Sequence, residues 1–236
     1  MAAFQSNPQF DLRVLALIPA YNEAERLGAV VEKSARYLPV LVVDDGSDDE
    51  TAATAKAAGA TVLRYTPNQG KGVALRTGFQ WALAADYEAV LTLDADGQHD
   101  PAEIPKFLQS YAVQIADLII GARSFREMPL TRRIANSVGC WLLSWALGHQ
   151  VRDNQSGYRL ISRQLLEKLL DSSEHGFEFE VEMLVTCLVA KLRLAWVPVR
   201  TIYAGESSHI VPWPHVRNFL WMVWQTRRRV KEEMVA

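Results

Sequence analysis

Cysteine is scarce, and long apolar runs and an excess of basic charge are missing, in this chain of 236 residues. The two cysteines, Cys140 and Cys187, stand far apart with no Cys-x-x-Cys spacing. Neither a disulfide framework nor a structural zinc site is suggested, and a reducing, cytoplasmic compartment is expected. No uncharged apolar run reaches the ~18–20 residues of a membrane-spanning helix. The opening residues, MAAFQSNPQF, lack the charged-then-apolar order of a signal peptide, so a soluble or peripheral protein is expected. With 25 Lys and Arg against 27 Asp and Glu the formal net charge is −2, which leaves no global basic field for a nucleic acid. Nor does a Gly/Ser/Pro-rich linker, a repeat or a low-complexity tract divide the sequence, and it reads as a single domain.

What is present is the material of a globular core: 49% hydrophobic and 22% charged residues. From Arg13 to Ala122 short aliphatic runs alternate with longer helix-period segments, the pattern of βαβ units. Strands are expected at Val14–Ile18, Val40–Val43, Ala60–Arg64, Ala89–Leu93 and Asp117–Gly121, each apolar enough to be covered on both faces. Helices are expected at Glu23–Tyr37, Asp48–Ala58, Lys71–Ala85 and Pro101–Tyr111, the last opened by an Asp-Pro pair suited to N-cap and N1. The fold class is therefore α/β, a mainly parallel sheet with helices on both faces. Beyond Gly121 the rhythm changes. Helices near Thr131–Leu147, Arg163–Leu170 and Phe179–Lys191, a loop at Asp153–Tyr158, a strand at Leu194–Thr201 and a helix from about Pro214 should build one wall of the site.

In an open parallel sheet the ligand crevice lies beyond the carboxyl ends of the strands. The expected strands run into Pro19-Ala20-Tyr21-Asn22-Glu23, Asp44-Asp45-Gly46-Ser47, Asn68-Gln69-Gly70-Lys71-Gly72 and Asp94-Ala95-Asp96-Gly97-Gln98. Any one of these could serve only turns and helix caps. Four together place several carboxylates side by side, where they repel unless a cation or hydrogen-bond donors compensate. Hard oxygen ligands point to Mg²⁺ or Mn²⁺ with a diphosphate completing the shell.

Three other motif readings fail. A calcium loop beginning at Asp94 would need Glu where Pro105 stands, and it would follow a helix. A P-loop ending in Gly70-Lys71-Gly72 has Tyr65 in place of its first glycine and Gly72 in place of the Ser or Thr that holds magnesium. A dinucleotide fold would need Gly-x-Gly-x-x-Gly after the first strand, where Pro-Ala-Tyr-Asn-Glu stands.

The segments IPAYNEAERL, VVDDGSDDET, NQGKGVALRTGF, LDADGQHDP, GARS and DNQSGYRLIS, in that order, closely resemble the family-two glycosyltransferases of GT-A fold. Within them the chain is most similar to the dolichol-phosphate mannosyltransferase and polyprenyl-phosphate glycosyltransferase branch. The resemblance covers about residues 12–210. It implies a nucleotide- and metal-binding half at about 12–122, an acceptor half at about 123–210 and a C-terminal amphipathic helix at about 214–236. By the same resemblance Pro19, Tyr21 and Glu23 line the base and ribose, Asp45 and Ser47 lie along the nucleoside, and Lys71 is close to the nucleotide. Asp94, Asp96 and Gln98 would hold the metal, and Arg123, Ser156 and Arg159 would face the acceptor phosphate. Arg132 is a further cation of that half. Where the mannosyltransferase branch carries a lysine after Gly-Glu-Ser, this chain reads Gly205-Glu206-Ser207-Ser208-His209. His209 would put a neutral or switchable imidazole at the sugar-phosphate in place of a fixed charge, which counts against GDP-mannose and leaves UDP-glucose or another donor open.

The residues permit the chemistry that the resemblance implies. A metal on Asp94 and Asp96 would stabilise charge growing on the departing diphosphate. A phosphate monoester, with its second pKa of about 6, is largely ionised at neutral pH and needs no general base. It needs cationic donors, which Arg123, Arg126, Arg132, Arg133, Arg152 and Arg159 could supply, although Arg126 and Arg152 also read as solvated helix charges. A hydroxyl acceptor would instead require a base such as Asp153, Glu178, Glu180 or Glu182. In-line attack on the anomeric carbon would invert configuration. Most of Trp141–Leu147, with Trp141 and Trp145, reads as core, whereas for the C-terminal helix shallow membrane contact and contact with a second copy stand side by side. The rival functions are transfer to a polysaccharide hydroxyl, non-catalytic sugar-nucleotide binding, and nucleotidyl transfer, for which no glycine-rich phosphate loop follows the first strand.

Overall fold

A computed structural model describes residues 12–125, 130–171, 178–200, 202 and 212–235, and within its helices only the backbone of 131–132, 212–218 and 233–235. Seven strands form one sheet: β1 (Val14–Ala20), β2 (Val40–Asp44), β3 (Thr61–Arg64), β4 (Ala89–Thr92), β5 (Leu118–Arg123), β6 (Arg159–Ser162) and β7 (Leu194–Val199). Their spatial order is β3-β2-β1-β4-β6-β5-β7. The four expected βαβ alternations are present, with helices α1 (Ala24–Ser34), α2 (Thr51–Ala57), α3 (Lys71–Ala84) and α4 (Ile104–Gln114) between the first five strands. A single 3₁₀ turn, Pro101–Glu103, precedes α4, and the Asp100 carboxylate accepts from Ala102 N, as the Asp-Pro pair predicts. The second half adds α5 (Leu130–Leu147), α6 (Arg163–Leu169), α7 (Glu178–Val189) and α8 (Pro212–Val235).

The alternation of a strand's side chains sorts the core into two layers. Val14, Ala16 and Ile18 of β1 point to one face, where they meet Leu27 and Val31 of α1, Ala55 of α2 and Phe107 of α4. Leu15 and Leu17 point to the other, among Leu75 and Phe79 of α3, Leu143 of α5, Leu165 of α6 and Leu184 of α7. Every helix of the second half thus lies on the face of α3. Burial on both sides explains why the central strands read as continuous apolar runs. β3 departs from that expectation: it is an edge strand, with Thr61 and Arg64 exposed, because no strand pairs with its outer side.

The strand that the sequence did not reveal is β6. It runs antiparallel to both β4 and β5, pairing Thr92 with Arg159 and Ile120 with Arg159. Only four residues long, it is followed at once by α6, whose N-cap is Ser162, accepting from Leu165 N. That brevity and the adjoining helix hide its two-residue period. Its position has a consequence for the site. Because β6 is reversed, its first residues lie beside the last residues of β4 and β5, so the loop 153–158 arrives at the same sheet edge as the loops after β1, β2, β4 and β5.

Close approach of α3 to β1 depends on Gly78. A Cβ there would overlap both terminal methyl groups of Leu17, which is fully buried. We expect Gly78→Ala to lower the free energy of unfolding by about 1–2 kcal/mol in urea titrations. The overpacking cost should outweigh the gain of about 1 kcal/mol in helix propensity.

Candidate active site at the strand ends

The loops after β1 and β2 are bonded to each other. Asn22, at φ 54°, donates its N–H to Ser47 Oγ at 2.9 Å and accepts from Asp48 N through Oδ1 at 2.9 Å. Glu23 N donates to Thr51 Oγ1 at 2.9 Å. Asn tolerates the left-handed backbone that this loop requires. Pro19 is buried at the end of β1, while the Tyr21 ring, 45% exposed, stands open at the rim.

Asp44 and Asp45 are both buried, and the donors around them differ from the cation that crowded carboxylates suggested. Asp44 Oδ1 accepts from Ser47 N at 2.9 Å, and its Oδ2 lies 3.4 Å from Arg64 Nε. Asp45 accepts from Gln69 N and Gly70 N, one to each oxygen at 2.8 Å. These carboxylates shape the loops: Asp45 ties the turn after β2 to the segment that opens α3, and so sets where Lys71 begins that helix.

Lys71 is the centre of the site. Its Nζ donates to Asp94 Oδ1 at 2.6 Å and to Glu180 Oε1 at 2.7 Å, joining α3, the end of β4 and α7. Burial disfavours the ammonium, but the attraction of the two carboxylates outweighs it and holds the group above its ordinary value. For Asp94 burial pushes the carboxyl up, and Lys71, with His99 and Arg123 behind it, overrides this and draws it down to about 2. His99 Nδ1 accepts from Asp94 N at 3.1 Å, which leaves the proton of the neutral ring on Nε2, 3.7 Å from Asp94 Oδ2. Burial lowers the imidazole's affinity for a second proton, against the pull of Asp94 and Asp96. The ring stacks on Tyr158, and Tyr158 on Phe107, so an aromatic column supports the loop from below. Asp96 Oδ1 accepts from Gln98 N at 2.9 Å.

The acceptor-half residues converge here, in an arrangement the motifs did not indicate. Arg123 forks onto Asp153, Nε to Oδ2 at 2.7 Å and Nη2 to Oδ1 at 2.9 Å. Asp153 also accepts from the backbone N–H groups of Arg123, Gln155 and Ser156. Arg159 is completely buried: Nε donates to Ser156 O at 2.8 Å, Nη1 to Glu180 O, and Nη2 reaches Asn154 O at 3.5 Å. Burial lowers its pKa, against the pull of Glu180, Asp153 and Asp94. In this arrangement its guanidinium clamps three backbone carbonyls, and Ser156, also buried, supplies one of them. Pro19, Lys71, Asp94, Gly157, Arg159 and Glu180 line one cleft. His209 and Arg126 lie outside the described residues, as does the side chain of Arg132. Arg133 is exposed on α5.

Sequence reasoning did not foresee the roles of Glu180, His99 and Gly157. Glu180 was legible only as one acid of three in FEFEVE; its place as the third residue of α7 turns it towards Lys71. A Cβ on Gly157 would stand 2.7 Å from both carboxylate oxygens of Asp94, so that glycine lets the acceptor loop close against the β4 end. Among the described residues no three His, Cys, Asp or Glu side chains are grouped to hold an ion by themselves.

The fold is that of the GT-A glycosyltransferases. A crystal structure of glucosyl-3-phosphoglycerate synthase from Mycobacterium tuberculosis, in complex with Mn²⁺, UDP-glucose and phosphoglyceric acid, superposes with a TM-score of 0.67. It does so over 92% of this chain and 80% of that one, at 21% identity, a likeness of fold. The sequence model of Glycosyl transferase family 2 matches residues 16–170, and the chain belongs to that family. It is 34% identical over 214 residues to undecaprenyl-phosphate mannosyltransferase of Micrococcus luteus, covering 84% of this chain and 87% of the relative. It is 30% identical over 224 residues to UDP-N-acetylglucosamine–dolichyl-phosphate N-acetylglucosaminyltransferase of Methanococcus voltae, covering 84% and 88%.

Two substitutions test this construction. Gly157→Ala should lower turnover by about 10²-fold, because displacing a reacting-site group by about 1 Å costs that much. The thermal midpoint should change little, and the comparison of the two readouts checks it. Arg159→Met should lower stability by about 3 kcal/mol in denaturant titrations, since it leaves buried carbonyls without donors.

Proposed function

We propose that this family-two glycosyltransferase moves a sugar from a UDP- or GDP-sugar to polyprenyl phosphate with inversion at the anomeric carbon. The observation that carries the choice of acceptor is the state of the acidic side chains on the acceptor side. Asp153 is filled by the Arg123 fork and three backbone donors. Glu180 is ion-paired to Lys71 through Oε1, Glu182 is held by Arg229 at 2.7 and 2.9 Å, and Glu178 is exposed, away from the residues that line the cleft. A carboxylate whose lone pairs are already occupied is poorly placed to take a hydroxyl proton, whereas a phosphate oxygen arrives ionised and needs no base. The names of the relatives, which transfer sugars to undecaprenyl or dolichyl phosphate, support the same acceptor class.

On this reading the nucleoside lies over the stitched loops after β1 and β2, between the Tyr21 ring and Asp45. Asp96 and Gln98, oxygen donors beside the ion-paired Asp94, suit a hard cation such as Mg²⁺ or Mn²⁺. Its remaining ligands would come from the diphosphate and water, in keeping with the absence of a self-sufficient cluster among the described residues. When bound, such an ion supplies positive charge to the leaving diphosphate. Lys71 orients Asp94 and holds cationic charge beside the cleft. Arg123 and Arg159 position the 153–158 loop against which the acceptor phosphate docks. The phosphate oxygen attacks the anomeric carbon opposite the diphosphate, a glycosyl–oxygen bond forms as the bond to the nucleotide breaks, and the nucleoside diphosphate departs.

The experiment is transfer of label from a panel of UDP- and GDP-sugars to a short-chain polyprenyl phosphate, counted after extraction into organic solvent. The expected result is extractable label from one donor, reduced about 10²-fold or more in Asp96→Ala. Label that appears instead only in a sugar-hydroxyl acceptor would reject the proposal.

A further inference from the structure

One face of α5 is apolar and uncovered. Leu130, Ile134, Val138, Trp141 and Trp145 follow at spacings of 4, 4, 3 and 4 residues, which places them in a single stripe about 22 Å long. All five are exposed by half or more, Trp141 by 67% and Trp145 by 54%. Within Trp141–Leu147, Leu143, Ala146 and Leu147 are buried on the sheet side with Leu142 packed beside them, as expected of core, and the two tryptophans face away. α8 extends the stripe. Leu220, Trp221 and Trp224 are also exposed, and the Arg227 guanidinium lies 5.2 Å from the Trp145 ring centre while Nη1 donates to Trp145 O at 3.1 Å. The two exposed faces therefore adjoin.

Charge identifies what covers them. α5 has no Asp or Glu, and its 18 residues with the 24 of α8 contain seven basic and two acidic residues, a net charge of +5. The whole chain has −2, so the remainder carries −7. Arg133, Arg228 and Lys231 are exposed on the same two helices, Arg228 paired with Glu232 at 2.7 Å. A second copy meeting this surface about a two-fold axis would bring two such faces together, and like charges oppose that. An anionic bilayer surface complements them: aromatic and aliphatic side chains enter the headgroup boundary while arginines and lysines meet lipid phosphates. We propose that α5 and α8 together form a docking surface for an anionic lipid bilayer, which brings the acceptor-half loops to the membrane plane. The proposal rests on the polyprenyl-phosphate reading only for its purpose. The connection is short in sequence, since α5 begins seven residues after Arg123 and ends six before Asp153.

The test is co-sedimentation of the full chain with phosphatidylcholine vesicles, with and without about one-third phosphatidylglycerol. It is paired with transfer assays on a water-soluble short-chain prenyl phosphate and on a vesicle-borne polyprenyl phosphate. We expect enrichment on the anionic vesicles, weakened about tenfold by Trp141→Ser with Trp145→Ser, and about tenfold by Arg228→Gln with Lys231→Gln. The tryptophan variant should keep its transfer to the soluble acceptor and lose transfer to the vesicle-borne one. Absence of vesicle binding in the wild type, equal binding by the tryptophan variant, or a dimer that those substitutions dissociate would overturn the docking surface. Vesicle binding with the expected variant losses, but transfer to neither acceptor, would uphold the docking surface and reject the acceptor assignment instead.

Discussion

The arrangement depends on one ammonium group. Lys71 opens α3, Asp94 ends the run of β4 and Glu180 stands in the first turn of α7, and none of the three is close to the other two in sequence. Two carboxylates brought this near each other would repel strongly in a partly dry cleft without the cation between them. With it, the first half of the chain is tied to the second within the site itself. Glu180 transmits the tie further through its backbone carbonyl, which accepts from Arg159. Arg159 in turn holds Ser156 and Asn154, and Gly157 between them closes against Asp94. The chain of contacts forms a ring that starts and ends at the same carboxylate.

Such a ring gives different jobs to residues of the same type. Of the aspartates at the strand ends, Asp44 and Asp45 take backbone N–H groups and hold loops in place. Asp94 takes Lys71, and Asp96, two residues on, receives Gln98 N across the turn at Gly97. Charge crowding at a sheet edge therefore does not by itself mean a metal. Donors supplied by neighbouring turns compensate much of it, and on the proposed reading Asp96 and Gln98, beside the ion-paired Asp94, seat the ion.

The first half of the fold was legible because each strand is a short apolar run followed by a helix with a marked start, and local pattern suffices for such units. Lys71 was expected as a site residue only through the NQGKG segment of the family resemblance, and its two partners were not legible, since pairing across α3 and α7 is a long-range fact. β6 was missed because a four-residue strand capped by Ser162 has no room to show its period. That omission concealed more than a strand: without its reversed direction, nothing in the sequence says that DNQSGYR returns to the end of β4. The two arginines were found by motif as groups to face an acceptor phosphate, yet their forks are taken up by Asp153 and by carbonyls, which only packing reveals.

The same argument bears on why the two tryptophans of α5 are outside. A helix that packs one side on a sheet needs a single apolar stripe, and Cys140, Leu143, Ala146 and Leu147 already provide it. Leu130, Ile134, Val138, Trp141 and Trp145 form a second stripe that folding does not use. Large apolar side chains in contact with water are a continuing cost with no return in the folded monomer. Their retention on a segment without acidic residues, alongside the loops that hold the acceptor side of the cleft, makes sense if the surface that covers them is also where the acceptor is found.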